Sequence, residues 1–576
     1  MTRFGARLRP VNPRHADPEP PRQEEIVQLD GNVKRAIDVG HARLLFGVSM
    51  FVVAFAVIAV RLIGVSLFSE GAEPRVAGVP APAPAERGEI LDRNGVVLAT
   101  NLSTASLYAN PQQIIDADEV SAKLAEVLPE LTAAEIRAKI VNDKSFIWLR
   151  RNLTPRQQYA VNRLGFPGLY FQREERRVYP QGRLTAHVTG FTDIDNRGLA
   201  GIEQSFDDIL REGRRAVTLS LDVRVQNILY EELSQAIADF TAIGGAGTVL
   251  DVRTGEVLAM VSLPDFDPNS PTAAPEEARF NRNTLGVYEM GSTFKILNTA
   301  MALDSGVVTL DDGFDARKPI QIGGFTISDF KPRNRYLTVP EIFMFSSNIG
   351  SAKMAAAAGT DLQRHFMASL GMFEPIALEL PELGQPMYPA DWKPINTMTI
   401  AYGHGIAVTP MHLARGVAAV VNDGMLRPLT MMKRDAASSV PSQRIISADT
   451  SHGMRQLLRL VVQAGTGRFA DAPGYLVGGK TGTADKQNGR TYSGNARVAS
   501  FIAAFPMNDP RYVALIMVDE PKPNAKSHGY ATGGWVAAPA IGRLVQRMAP
   551  LVGLEPISDD APEAQDELLV EASASE

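Results

Sequence analysis

In Gly291-Ser292-Thr293-Phe294-Lys295, a serine and a lysine stand three residues apart. If Ser292 opens a helix running to about Leu303, that spacing puts hydroxyl and amine on one face. A serine hydroxyl is a poor nucleophile until a base takes its proton. A lysine amine can be that base when desolvation or a nearby second cation lowers its pKa. The helix N-terminus would add a positive local field that favours an oxyanion, and Gly291 would let the chain turn sharply into the helix. A Ser-x-x-Lys pair arises by chance about once in a chain this long, and Ser346-Ser347-Asn348 is equally common. Lys480-Thr481-Gly482, which continues into Thr483 on a predicted strand, is expected only about 0.1 times. The three strings in this order are far harder to reach by accident, and they point to a serine nucleophile served by two amines.

Other polar residues fit their alternatives poorly. The eight histidines (His15, His41, His187, His365, His404, His412, His452, His528) show no metal-type pairing such as HExxH, so structural or solvated roles are expected. Of these, His404 and His528 are the two that could line a cleft. There is no cysteine, which excludes disulfides, thiolate catalysis and Cys-ligated metal or iron–sulfur sites. Gly474 to Thr481 spells the GxxxxGK[ST] order of a phosphate loop, but its Lys-Thr falls on a predicted strand, whereas a phosphate loop needs the lysine to open a helix. No metal and no cofactor are expected.

The elements that must hold these strings can be read from composition and period. The 576 residues are 45% hydrophobic and 21% charged, enough for several folded units. The net charge of −6 argues against a nucleic-acid binder. From Leu44 to Val65 the only charge is Arg61, and about 33 Å of helix at that length crosses a hydrocarbon core. Lys and Arg are denser before this span than just after it, which favours a cytoplasmic N-terminus. The expected organisation is a disordered tail over 1–43, a transmembrane helix over 44–65 and a Pro/Ala-rich linker over 66–86. A mixed module over 87–225, a catalytic domain over 226–550 and an acidic tail over 551–576 follow. Short strands and helices (Val120 to Leu128, Ala133 to Ile140) alternate in the mixed module. From Gln226 on, apolar strands around Thr254-Gly255 and around Pro506 to Pro510 bracket a mainly helical middle. That pattern predicts an antiparallel sheet closed by the two ends of the domain, with a helical subdomain inserted.

The ordered triplet resembles the active site of penicillin-recognising serine transferases and hydrolases. RGEILDRNG (Arg87 to Gly95), RVYPQG (Arg177 to Gly182) and GLAGIEQSFD are similar to the non-catalytic module of class B penicillin-binding proteins. NRNTLGVYEMGSTFK, YGHGIAVTP and YATGGWVAAP resemble the division-specific FtsI group, except that Met290 stands where relatives often have proline. The resemblance covers roughly residues 44–550. It implies an α+β fold: a β-lactamase-like transpeptidase domain, with helices on both sides of the sheet, behind an elongated pedestal of dimerisation type. It further implies a septal peptidoglycan D,D-transpeptidase, which β-lactams would trap at Ser292. Ser292 would attack the penultimate D-alanine of a stem peptide, with Lys295 as base. Ser346 would pass a proton to the leaving amine, and Asn348 would bind the substrate amide and orient Lys295. Lys480 would depress the pKa of Lys295. Thr481 and Thr483, flanking Gly482, would hold the substrate carboxylate. The N–H groups of Ser292 and Thr483 would form an oxyanion hole, worth roughly 3–4 kcal/mol per donor. Arg87, Asp92, Arg93 and Glu203 are expected as a salt-bridge set that packs the domains.

The alternatives on this fold are an elongation-type transpeptidase, a D,D-carboxypeptidase or β-lactamase, and a non-enzymatic β-lactam sensor. A β-lactamase would need a deacylating carboxylate, and none is identifiable; a sensor would carry further spans and a cytoplasmic effector. The glycosyltransferase signature EDxxFxxH is absent from 66–225, so glycan polymerisation would come from a partner. The resemblance points to a membrane polymerase of the SEDS class (FtsW type), with other division proteins beside it. The expected location is the inner membrane, single-pass, with the catalytic domain in the periplasm.

Overall fold

The computed structural model describes residues 31–68, 87–213, 215–435, 439–488, 491–558 and 561–565. The start of the expected tail, most of the linker and the end of the acidic tail lie outside these residues. The chain divides into two units, Met1–Pro82 and Ala83–Glu576.

Among the described residues of the first unit one helix, α1, runs from Gly31 to Phe68. It takes in residues 31–43, expected as disordered tail. No proline lies between Pro21 and Pro74, and extending a formed helix is cheaper than nucleating one. Within it Ala42–Val60 is long and apolar enough to cross a membrane.

The second unit begins with a five-stranded sheet built on the long strand β2 (Val97–Ala109). β1 (Ile90–Leu91) pairs antiparallel with its start and parallel with β5 (Val217–Thr218). β3 (Ile147–Leu153) and β4 (Leu169–Val178) flank the rest of β2. Helices α2 (Ala117–Val127), α3 (Ala133–Ile140) and α4 (Pro155–Leu164) cover one face, burying Val120, Leu124, Ile136 and Val161 against Leu107 and Leu149. Glu203, fully buried, takes Arg87 Nε at 2.6 Å and Arg177 Nε at 2.6 Å on its two oxygens. Arg93 reaches forward to Glu256 at 3.6 Å. Asp92 departs from the expected salt-bridge set. It caps the turn into β2 by accepting from the N–H groups of Asn94 and Val96, because a carboxylate there satisfies amides that the turn leaves unpaired.

After α5 (Val223–Asp239) the chain enters a second five-stranded sheet, with β6 (Gly244–Asp251) and β7 (Val257–Leu263) at one edge. It returns there only with β8 (Gly478–Asn488), β9 (Thr491–Phe505) and β10 (Tyr512–Asp519). The spatial order is β8-β9-β10-β6-β7, antiparallel throughout, so β10 closes onto β6 as the sequence predicts. Both faces are buried. On β10, Val513, Leu515 and Met517 face one core, and Ala514, Ile516 and Val518 face the other, as the two-residue period of a strand requires. α5 and the last long helix, Ala538–Met548, cover the second face; the helical insertion covers the first. Residues 551–558 and 561–565, expected within a solvated tail, pack onto this domain instead. Ile557 N–H donates to the Gly474 carbonyl at 2.8 Å, and Ala564 is buried.

Removing one partner of a buried ion pair leaves the others uncompensated. Glu203→Ala strands two buried arginines, so it should cost roughly 3–5 kcal/mol in the denaturant unfolding of the 87–225 module. A loss under about 1 kcal/mol, typical of surface pairs, would show the set to be dispensable.

Candidate active site

The Gly291–Phe294 segment is a turn of 3-10 helix, and the α-helix Lys295–Asp304 follows without a break. Sequence reasoning expected one α-helix opening at Ser292. The tighter turn matters because at three residues per turn positions i and i+3 eclipse, which sets Lys295 directly over Ser292. Lys295 Nζ lies 3.0 Å from Ser292 Oγ. Gly291 enters at φ +58°, and a Cβ there would come within 2.6 Å of the Thr483 carbonyl oxygen. Gly403 of the YGHG string, at φ +80°, lies on the other side, where a Cβ would overlap the Gly291 carbonyl. These two glycines let the serine turn pack tightly against β8.

The Ser346-Ser347-Asn348 string joins two helices. Val339–Phe345 begins with a capping box between Thr338 and Glu341 and ends on Ser346, which adopts the left-handed conformation at φ +60°. A non-glycine residue held there costs about 1–3 kcal/mol and turns the chain sharply. Ser347 then caps Asn348–Ala358 by accepting from Gly350 N–H at 3.0 Å. Asp329, which sequence reasoning missed, fixes this corner. Its carboxylate accepts from Ser347 Oγ at 2.8 Å, Asn348 N–H at 2.6 Å and Ile349 N–H at 2.9 Å. An aspartate in an irregular loop has no period or motif to mark it; its function appears only once the loop meets the helix N-terminus.

Lys295, fully buried, has four oxygens around its amine. Besides Ser292 Oγ they are Ser346 Oγ at 3.0 Å, the Ser346 carbonyl at 2.6 Å and Asn348 Oδ1 at 2.8 Å. Asn348 Nδ2 donates to the Ser328 carbonyl at 3.0 Å, which turns Oδ1 toward the lysine. The carbonyl and Oδ1 can only accept. A neutral amine therefore gives them its two N–H groups and turns its lone pair toward the hydroxyls of Ser292 and Ser346. Burial first, and then the charge of Lys480, hold the Lys295 pKa well below the ordinary lysine range, with Asp329 pulling weakly the other way. Lys480 is itself fully buried on β8, with its amine 5.9 Å from the centre of the Phe343 ring and no hydrogen-bond partner among the described residues. Burial pushes its pKa down to about 7.

Ser292, Ser346, Asn348, Thr481 and Thr483 line one groove of about 600 Å³. The Thr481 and Thr466 hydroxyls are 2.9 Å apart, and Thr483 Oγ1 accepts from Gly533 N–H at 3.1 Å. The groove thus gathers the serines and Asn348 with the two threonines of the third string, while both lysine amines lie buried behind it. His404 lines the groove; His528 instead packs its ring on Trp535, 5.3 Å away.

A serine hydroxyl 3.0 Å from the amine of a buried lysine whose pKa is held down is the arrangement of a serine acyl-transfer site. Residues 245–546 match the penicillin binding protein transpeptidase domain and residues 82–235 the penicillin-binding protein dimerisation domain. A probable peptidoglycan D,D-transpeptidase FtsI of Caulobacter vibrioides is 41% identical over 483 residues, 81% of this chain and 82% of that one. The Escherichia coli peptidoglycan D,D-transpeptidase FtsI is 32% identical over 82% and 84% of the two chains. The crystal structure of penicillin binding protein 3 from Mycobacterium tuberculosis, complexed with aztreonam, shares the fold at TM-score 0.65 and 24% identity, covering 82% of this chain and 98% of that one. The chain belongs to the penicillin-binding protein transpeptidases, in their FtsI-type branch.

A lysine whose folded pKa lies below its unfolded one destabilises the fold at low pH and does so progressively less as pH rises between the two values. Lys480 should therefore titrate near 7 in 15N-detected NMR of the lysine amines, and wild-type stability relative to Lys480→Met should rise from about pH 7 toward pH 9. A midpoint in the ordinary lysine range, near 10.4, would overturn this reading.

Proposed function

We propose that the chain crosslinks peptidoglycan stem peptides during septal wall synthesis, through an acyl-enzyme on Ser292. The observation that carries this reading is the buried Lys295 amine 3.0 Å from Ser292 Oγ, with the Ser346 carbonyl and Asn348 Oδ1, which can only accept, beside it. Ser292 Oγ attacks the carbonyl of the penultimate D-alanine as its proton passes to Lys295. Charge develops on the carbonyl oxygen, which the N–H groups of Ser292 and Thr483 meet. The tetrahedral intermediate collapses and the C–N bond breaks. The departing D-alanine amine takes the proton from Lys295 by way of the Ser346 hydroxyl, which hydrogen-bonds that amine. A second strand's amine then attacks the ester. It loses its proton to the regenerated base, and Ser292 recovers its own as the crosslink forms. Asn348 orients Lys295 and binds the peptide amide, Thr481 and Thr483 take the terminal carboxylate, and Lys480 keeps Lys295 from carrying a full charge.

Transfer fits better than hydrolysis. Two carboxylates line the groove among the described residues. Asp329 is occupied by three donors, and Asp485 accepts from Arg497 Nε at 2.7 Å, so neither is poised to activate a water. The apolar helix anchors the enzyme in the inner membrane, N-terminus inside and the 83–576 unit in the periplasm. Its glycan comes from a membrane polymerase of the FtsW type that meets the span and the 87–225 module. The FtsI-type relatives support the septal assignment.

Intact-protein mass spectrometry after penicillin treatment should show one adduct, mapped to Ser292 and absent from Ser292→Ala. A label on another residue, or none, contradicts the mechanism.

A further inference from the structure

The groove is ringed by cations that the reaction above does not use. Lys331, Arg333 and Arg468 all line it and are solvent-exposed, and none has an acidic partner among the described residues. Each rests instead on an aromatic ring. Lys331 Nζ lies 5.0 Å from the centre of Tyr530, Arg333 Cζ 4.0 Å from Phe345 and Arg468 Cζ 5.0 Å from Phe469. Phe345 immediately precedes Ser346, so Arg333 stands beside the catalytic corner. Phe469 packs on Trp535 at 4.9 Å and Tyr530 stacks on the same ring at 6.4 Å, so three aromatic rings form a wall with Arg468 at one end and Lys331 at the other.

This arrangement differs from a solvated charged surface in two ways. Seating on a ring restricts where each long side chain can hold its charge, which reduces what ligand binding must still order. The compensating acids are already committed: Asp329 to the helix N-terminus beside it and Asp485 to Arg497. The field inside the groove is therefore positive, and a cleft lined with one sign of charge concentrates ligands of the other. The terminal carboxylate of a D-alanyl-D-alanine peptide is assigned to Thr481 and Thr483, which leaves the three outer cations for anionic groups elsewhere on the donor.

We infer that the groove selects donor stem peptides that keep a second free carboxylate on their side chains over the same peptides with that group amidated, with Lys331, Arg333 and Arg468 as the specificity residues. This rests on the transpeptidase reading and names the substrate class within it. The carboxylate meets guanidinium or ammonium groups held against the aromatic wall, while the peptide's apolar stem lies on Tyr530, Trp535 and Phe469. Attraction of this kind acts at the rim, so it should appear in the rate of association and weaken with salt.

The test uses two penicillins that differ only by a carboxylate on the side chain, benzylpenicillin and its α-carboxy derivative, with the full-length protein in detergent. The measured quantity is the second-order rate of Ser292 acylation, as the ratio of the dicarboxylate to the monocarboxylate compound. Replacing the three cations together by alanine should lower that ratio by about tenfold, and raising salt from about 0.05 to 0.5 M should lower it in the wild type. A Lys331→Arg, Arg333→Lys, Arg468→Lys variant should keep the wild-type ratio. A ratio equal in all three proteins and indifferent to salt overturns the inference. The salt series in the wild type decides the matter even if the alanine variant fails to fold. Absence of acylation by either penicillin would instead bring down the transpeptidase reading on which the inference rests.

Discussion

A primary amine taken out of water beside a hydroxyl is the constraint on which the rest of this structure depends. An ammonium at Lys295 would have to surrender its hydration and sit near a second buried lysine, so the site favours the amine without its extra proton. Two oxygens that can only accept, the Ser346 carbonyl and Asn348 Oδ1, then claim both N–H groups. What remains is a lone pair with only hydroxyls to face. In the proposed mechanism the base is made by where its neighbours stand and by burial.

Holding that arrangement requires three separate stretches of chain to meet within hydrogen-bonding distance. The 3-10 turn supplies the serine and lysine, the corner between two helices supplies Ser346 and Asn348, and the strand β8 supplies Lys480. Each piece rests on something rigid. The turn is wedged between Thr483 and Gly403, where only glycines at 291 and 403 leave room. The corner is tied to Asp329 by three hydrogen bonds. The strand pairs with β9 along its length, and β10 and β6 close that sheet across a long insertion. In the proposed mechanism, removing side-chain freedom from Lys295 and Ser292 before substrate arrives lets one hydroxyl react selectively.

Much of this was legible in the residues. Ser292, Lys295, Ser346, Asn348 and Lys480 belong to short strings whose joint order is improbable, and strand period with turn residues led to the antiparallel sheet and its insertion. The features that escaped depend on tertiary meetings with no local signature. Asp329 has no pattern around it until its loop reaches the Asn348 helix. The seating of Lys331 on Tyr530 joins residues far apart in the chain. The turn at Ser292 looks like the start of an α-helix because the same spacing suits both helix types; the crowding of Gly291 against β8 accompanies the tighter one. Residues 31–43 look like tail by composition, but they continue a helix that has no reason to stop.

The central claim is that the base is a neutral lysine, and the pH dependence of the Ser292 acylation rate tests it most directly. The account predicts a rate that rises with pH and levels off well below the ordinary lysine value of about 10.4. A rate that keeps climbing about tenfold per pH unit up to that value would mean that the amine is charged at rest, and would contradict it.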